Sequence, residues 1–203
     1  MLILVSMRIA ENTSYPECRD ALSHDWGYFF DRHRLTPILV PNSLADPGEY
    51  WKLGAKGLVL TGGDSMGSKE QPTARDVTEA KLIDSAIGRG IPIFGVCRGL
   101  QVLNRYFGGQ NGRLEDRKHV GEHAVELLDG RSMQVNSFHT DAVLQPGLAT
   151  PLVPFAMAQN GIVEGYRHES LPITAIQWHP ERASPSATYD EILIEDWVRV
   201  CAS

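Results

Sequence analysis

The sequence predicts an α/β fold, a three-layer, mostly parallel sheet with helices on both faces. Three observations carry that expectation. Short, continuous apolar runs alternate with helical periodicity through the first half of the chain, the pattern of strands covered on both sides. One of those runs passes straight into Gly-x-Cys-x-Gly and then a helical stretch. The composition, 42% hydrophobic and 22% charged over 203 residues, is that of a globular chain large enough to bury a core without disulfides or metals.

Taken in order, Leu2–Ser6, Pro37–Val40, Gly57–Thr61 and Ile91–Val96 read as the first four strands. Between the first two, Cys18–His33 reads as one helix. Its apolar residues Cys18, Leu22, Trp26, Phe29 and Phe30 recur at the spacing of a single face. Arg75–Arg89 reads as the next helix, with Val77, Ala80, Ile83 and Ile87 inward and Gly88 and Gly90 ending it. Gly99–Phe107 follows the fourth strand directly. Strand–helix alternation of this kind implies parallel strands joined by right-handed crossovers.

The second half has a different rhythm. Ala124–Leu128, Ser132–Val135, Ala142–Leu144, Ala156–Gln159, Ile162–Tyr166 and Thr174–Trp178 are short strand candidates between Gly, Pro and Asp turns. They are expected to extend the sheet in mixed orientation. A last helix is expected after Thr188, which forms a Thr-x-x-Glu capping box with Glu191, and it would turn Leu193, Trp197 and Val200 inward. No linker, repeat or low-complexity tract interrupts the chain, so residues 1–203 are read as a single domain.

The formal net charge of −6 leaves no basic excess to neutralise phosphates, which argues against a nucleic-acid partner. No run approaches the 18 apolar residues of a membrane span. Cys18, Cys97 and Cys201 are an odd, sparse set behind a start without signal-peptide features, which suggests free thiols in a reducing cytoplasm.

The chemistry concentrates at Ile93-Phe94-Gly95-Val96-Cys97-Arg98-Gly99-Leu100-Gln101. A strand running into Gly-x-Cys-x-Gly and then a helix is the thiol counterpart of a nucleophile elbow. The turn is tight enough that the central residue takes strained backbone angles, and the flanking glycines remove side chains that would collide. Cys97 would then sit at a helix N-terminus, where the dipole and free amides favour a thiolate, and the Arg98 amide could donate to an oxyanion. A buried structural cysteine is the competing interpretation of that residue taken alone. Cys18 and Cys201 are expected on the inner faces of their helices.

A thiolate nucleophile needs a base held by a third group. In Gln177-Trp178-His179-Pro180-Glu181, Pro180 keeps His179 extended, and Glu181, two residues on, points to the same side. The third element is Thr61-Gly62-Gly63-Asp64, where a strand reaches the carboxyl edge of a parallel sheet, the usual ligand edge. Either Gly62 or Gly63 could present an amide there, and an ordinary tight turn would look the same.

Together these strings resemble a family. The Gly62-Gly63 loop, Gly95-Val96-Cys97-Arg98-Gly99-Leu100-Gln101, Val135-Asn136-Ser137-Phe138-His139 and His179-Pro180-Glu181 occur in the order of class I glutamine amidotransferase domains. Arg75-Asp76-x-x-Glu79 resembles their γ-glutamyl hydrolase branch, which includes the γ-glutamyl-γ-aminobutyrate hydrolases. The resemblance runs from about Leu2 to Val200 and implies a flavodoxin-like architecture. It implies Cys97 as nucleophile, His179 as base and Glu181 as its orienter. Gly63 and Arg98 would supply the oxyanion hole. Gly62, Gln101 and the Asn136–Phe138 backbone, with Ser137 and His139 beside it, would hold the γ-glutamyl end. No metal or organic cofactor is implied. The partner is a small γ-glutamyl amide, a homodimer is left open, and the cytoplasm is the expected setting.

Two departures bear on the leaving group. Thr140-Asp141 follow His139 where the family commonly has His-Gln, and the chain is shorter than typical members. The short form, with Glu11-Asn12-x-x-Tyr15, Arg19 and Trp26-Gly27, resembles capsule-biosynthesis hydrolases that cleave γ-glutamyl-CDP-amidate. Two alternatives remain: a glutaminase subunit passing ammonia to a separate synthetase chain, and a non-catalytic binding domain.

Other strings are set aside. His119-Val120-Gly121-Glu122-His123 fits an inverted zinc-protease pattern, but Gly121 argues against the helix that pattern requires. Gly62-x-x-x-x-Gly67-Ser68-Lys69 has Ser-Lys where a phosphate loop needs Lys-Ser or Lys-Thr. His24, His33 and His168 are expected at the surface. Asp64 and Glu164 are candidates for substrate contact.

Overall fold

The computed structural model describes residues 1–114 and 120–203. In chain order the first half contributes β1 (Leu2–Ser6), a hairpin of β2 (Arg8–Glu11) and β3 (Cys18–Ala21), α1 (His24–Arg32) and β4 (Thr36–Val40). It continues with β5 (Leu58–Leu60), α2 (Ala74–Gly88), β6 (Ile93–Val96) and α3 (Arg98–Tyr106). The second half adds β7 (Gly112–Arg113), β8 (Val120–Leu127), β9 (Ser132–Phe138) and β10 (Asp141–Leu144). After them come β11 (Leu152–Ala158), β12 (Ile162–His168), β13 (Ile173–Ile176) and α4 (Ala187–Ala202).

Strands β4-β1-β5-β6-β13 lie side by side and pair in parallel. Setting aside the hairpin, their order is 2-1-3-4-5, that of a flavodoxin-like sheet. Beyond β13 the sheet turns antiparallel through β12, β11, β8 and β9. Alternation along the strands divides the core in two. Ile3, Val5, Val59, Phe94 and Val96 face Trp26, Phe29 and Phe30 of α1 and Leu193, Ile194 and Trp197 of α4. Leu4, Leu58, Leu60 and Ile93 face Leu82, Ile83 and Ala86 of α2 and Leu100 and Leu103 of α3. The sheet is the middle layer, as the sequence predicts.

The structure corrects six local expectations. Cys18–His33 is not one helix: Cys18–Ala21 pairs with Arg8–Glu11 as a two-stranded antiparallel sheet, and α1 starts only after its N-cap Ser23. The helical spacing of Cys18 and Leu22 is coincidental, because the burial that stabilises α1 comes from Trp26, Phe29 and Phe30. Cys18 is exposed. In α2 the inward stripe is Arg75, Thr78, Glu79, Leu82, Ile83 and Ala86, while Val77 is 42% exposed. A capping box between Thr73 and Asp76 starts that helix.

The last helix begins at Ala187, not after Thr188. Ser186 is its N-cap, and the Ser186 hydroxyl donates to Asp190 rather than Thr188 pairing with Glu191. Leu193 and Trp197 point inward, whereas Val200 is 47% exposed. His33 is also no surface residue. Its ring packs against Phe29 at 4.6 Å, and burial lowers its pKa despite the nearby Glu191.

Candidate active site

Cys97 stands between β6 and α3 with φ 53° and ψ −103°, outside the regions open to most side chains. Two glycines make that backbone possible. A Cβ at Gly95 would lie 2.8 Å from Leu103 Cδ1 and 2.9 Å from the Gly99 carbonyl carbon, and one at Gly99 would collide with Leu60 O. Cys97 is therefore lifted to the carboxyl end of β6 with α3 opening directly behind it. Arg98, the first helical residue, has an amide without an intrahelical acceptor.

His179 reaches the same point from the end of β13. Its backbone is clamped by Asn136, whose Oδ1 accepts from His179 N at 2.8 Å and whose Nδ2 donates to His179 O at 2.9 Å. That amide also donates to Ala183 O, closing the loop. On the other side of the loop Trp178 Nε1 donates to Asp190 Oδ1 at 2.7 Å. The imidazole Nδ1 faces Glu181 Oε1 at 2.7 Å, both side chains being almost fully buried. With Nδ1 engaged, Nε2 is left for the Cys97 sulfur. Burial pushes the His179 pKa down, but hydrogen bonds to Cys97 and Glu181 outweigh it and raise the value to about 9. The geometry therefore favours an imidazolium between a sulfur and a carboxylate.

The Gly62-Gly63 loop closes over this pair. A Cβ on Gly62 would stand 2.8 Å from His179 Cε1 and 3.4 Å from Cys97 Cβ, so only glycine leaves room for the imidazole. Gly63 has φ +124° and a Cβ there would lie 3.2 Å from Arg75 Nη1. Arg75 holds the loop from beneath, donating to Thr61 O at 2.7 Å, Gly62 O at 3.1 Å and Asp64 Oδ1 at 2.7 Å. Its Nε donates to Glu79 Oε1 at 2.8 Å. Glu79 in turn pairs with Arg98, which also binds Asp76 at 2.6 Å. A fully buried carboxylate thus joins the glycine loop to the residue after Cys97. Burial raises the Glu79 pKa, but Arg75 and Arg98 more than offset this and keep it ionised.

Replacing Glu79 with Gln would leave two guanidinium groups short of one counter-charge in the interior. A loss of roughly 3–5 kcal/mol in unfolding free energy is expected, read from urea denaturation. A change under 1 kcal/mol would show that Arg75 and Arg98 find other partners.

Of the other candidate residues, Gln101 lies one helical turn beyond Cys97 and is 5% exposed; its amide donates to Asp141 O at 2.8 Å and contacts Gln177. Asn136 sits at the site, but its side chain is committed to His179. Ser137 and His139 are buried, and His139 Nδ1 faces Asp141 O at 3.0 Å. Phe138 is half exposed, with its ring edge-on to His179 at 5.5 Å. The two substrate-contact candidates differ: Glu164 is out of reach of a substrate, whereas Asp64 stays partly exposed. Glu164 is fully buried against His123 and His139, and Asp64 is ion-paired with Arg75. His123 lies on strand β8, so no helix presents the zinc-like string; its first residue, His119, lies outside the described residues. Among the described residues no cluster of three or more His, Cys, Asp or Glu could hold a metal ion. The Asn136 clamp was not anticipated from sequence.

Residues 28–181 match the family model of Peptidase C26. The chain belongs to that family. The match takes in Cys97, the glycine loop and the His179–Glu181 string. Among C26-like relatives, a γ-glutamyl-CDP-amidate hydrolase of Campylobacter jejuni is 32% identical over 189 residues, covering 90% of each chain. A γ-glutamyl-γ-aminobutyrate hydrolase of Escherichia coli O157:H7 is 28% identical over 207 residues, covering 81% of this chain and 80% of that one. The crystal structure of a glutamine amidotransferase from Thermotoga maritima superposes with a TM-score of 0.67 at 17% identity, over 98% of this chain and 84% of that one. The chain therefore has the class I glutamine amidotransferase fold. No helix among its described residues is long and apolar enough to cross a membrane.

Proposed function

We propose that this chain hydrolyses a γ-glutamyl amide through a γ-glutamyl thioester on Cys97. The observation that carries the reading is the placement of Cys97, at positive φ on a helix N-terminus, against an imidazole held by Glu181. The Cys97 thiolate attacks the γ-carbonyl carbon, and the resulting oxyanion takes hydrogen bonds from the Gly63 and Arg98 amides. The carbon–nitrogen bond then breaks as His179 gives its proton to the leaving amine. Water, deprotonated by the now neutral His179, attacks the thioester. The carbon–sulfur bond breaks, glutamate leaves, and the thiolate–imidazolium pair is restored. Gln101 and the backbone of Asn136–Phe138 hold the α-amino and α-carboxylate end of the substrate.

The finer assignment is to a large γ-glutamyl conjugate, with γ-glutamyl-CDP-amidate and its capsule pathway as the leading candidate. The C. jejuni relative supports it, because its coverage is nearly complete in both directions. Activity should be measured as glutamate release from glutamine, γ-glutamyl-γ-aminobutyrate and a γ-glutamyl nucleotide amidate. The conjugate is expected to exceed glutamine in kcat/KM by about 10²-fold or more, near 2.7 kcal/mol of differential transition-state binding. Glutamine as the best substrate, with ammonia captured by a co-purifying synthetase, would replace this reading with the glutaminase-subunit one.

A further inference from the structure

The segment that carries His179 and Glu181 is tied to the fold at a second place, through the residue before His179. Trp178 is fully buried in the apolar layer that also holds Trp26, Phe30, Leu193 and Ile194. Neighbouring residues of an extended chain point to opposite sides, so the indole enters that layer while the imidazole turns to Cys97. Inside the layer Trp178 Nε1 donates to Asp190 Oδ1 at 2.7 Å. The other oxygen, Oδ2, accepts from Ser186 Oγ at 2.9 Å, and the Asp190 amide donates to Ser186 O at 2.9 Å. Ser186 N in turn donates to Ser184 Oγ at 3.2 Å. Asp190, in the first turn of α4, thus joins that helix to both ends of the 178–186 segment.

A carboxylate is a costly group for that place. Asp190 is 5% exposed, and among the described residues no cation lies within ion-pairing distance of it. Arg32, whose charge reaches it, pairs with Glu191 and donates to Pro180 O instead. Burial pushes the Asp190 carboxyl up to about 6 against the pull of its two hydrogen bonds; Glu191 adds to the rise and Arg32 opposes it. Ionisation therefore costs stability as pH rises from 3.8 to about 6, and the full cost remains above that. A buried charge without a counter-ion weakens the fold, and such losses recur where position matters to function. What the carboxylate supplies is a pair of acceptors on a short stem, one for the indole and one for the Ser186 hydroxyl.

We propose that Asp190 is a positioning residue for the base: through Trp178 it sets where His179 and Glu181 stand relative to Cys97. This role rests on the γ-glutamyl hydrolase reading and adds to that site a residue of α4. Asn136 already holds the His179 backbone from β9. The Trp178–Asp190 bond gives a second fixed point one residue earlier, and two points fix a direction as well as a place. That direction decides whether the imidazole lies between Glu181 and the sulfur. A misplacement of about 1 Å at such a group lowers turnover by about 10²-fold.

The test measures glutamate release from the best γ-glutamyl amide. Asp190→Leu removes both acceptors at similar size, and should lower kcat by about tenfold or more with KM within about twofold of wild type. Its alkaline limb of kcat/KM, expected near 9 in wild type, should move to lower pH by about half a unit or more, because a loosened Glu181 supports the imidazolium less. Asp190→Asn keeps an acceptor for Trp178 without the charge. It should recover most of the lost kcat and melt no lower than wild type at a pH of about 8. Trp178→Phe keeps an aromatic ring without the donor and should reproduce the Asp190→Leu loss, and in the double variant the two losses should not multiply. A merely structural Asp190 would instead lower the melting temperature and leave kcat and the alkaline limb in place. Asp190→Leu with wild-type kcat, or losses that multiply, overturns the proposal and leaves the hydrolase reading intact. If Asp190→Leu does not fold, Trp178→Phe decides alone, and a wild-type kcat with an unmoved limb overturns it. If no amide releases glutamate, the hydrolase reading falls, and the pH profile of Cys97 alkylation by iodoacetamide decides the positioning role. A profile displaced by about half a unit or more in either variant supports it; an unmoved profile overturns it.

Discussion

Cys97→Ala is expected to lower glutamate release from the best γ-glutamyl amide by about 10⁴-fold or more, the scale seen when a covalent nucleophile is removed. Alanine keeps the Cβ, so the elbow at φ 53° and its packing between Gly95 and Gly99 should survive the change. Circular dichroism and substrate binding should therefore match wild type while turnover vanishes. Neither remaining thiol can substitute. Cys18 is exposed on β3, away from any helix N-terminus, and burial in the core pushes the Cys201 thiol up to about 12. A diazoketone analogue of glutamine should label Cys97 alone, with Cys18 as an internal control for simple exposure. Residual activity above one-hundredth of wild type, or equal labelling of Cys18, would defeat the elbow assignment.

How much of this site can be read from residues alone depends on which forces build each part. The parallel strands are legible because burial on both faces demands continuous apolar runs, and Ile93–Val96 and Leu58–Leu60 obey that demand. The elbow is legible because only glycine fits at positions 95 and 99, so the steric requirement is written into the residue types. The β2–β3 hairpin is not. Its strands, Arg-Ile-Ala-Glu and Cys-Arg-Asp-Ala, bury little and carry no clear two-residue alternation, while Cys18 and Leu22 happen to continue the helical spacing of α1. What holds the hairpin is the Asp20–Asn42 contact, a pairing across the fold that no local pattern announces.

The same limit applies to the groups that position His179. Glu181 is two residues away and can be inferred from strand geometry, whereas Asn136 is 43 residues distant and reads locally as a substrate contact. The acidic and basic residues of Arg75-Asp76-x-x-Glu79 are visible as a string, and their spacing puts Arg75 and Glu79 on one helical face. That this face turns inward, against the apolar residue Val77, follows from Arg98 waiting beneath it. Charge pairing in the interior outweighed hydrophobic periodicity there, because an unpaired buried guanidinium costs more than one exposed valine.

Glu181→Gln is expected to lower kcat by about 10²- to 10⁴-fold with KM nearly unchanged, as when an orienting carboxylate is made neutral. The glutamine keeps the size of the side chain and can still contact Nδ1 at the 2.7 Å position. As an acceptor it holds the ring in place but supplies no negative charge. As a donor it selects the tautomer with the proton on the wrong nitrogen. Either way the imidazolium loses its support when charge develops, a loss confined to the transition state. The pH dependence separates this from a structural role. In wild type the raised His179 pKa should place the alkaline limb of kcat/KM near 9, because the leaving amine needs the imidazolium proton. The same shift stabilises the fold fully below pH about 6.5 and is lost as pH rises through about 9. Without the Glu181 charge both effects should move to lower pH. A variant with reduced kcat but an unmoved alkaline limb would make Glu181 a packing residue. Another group would then have to hold His179.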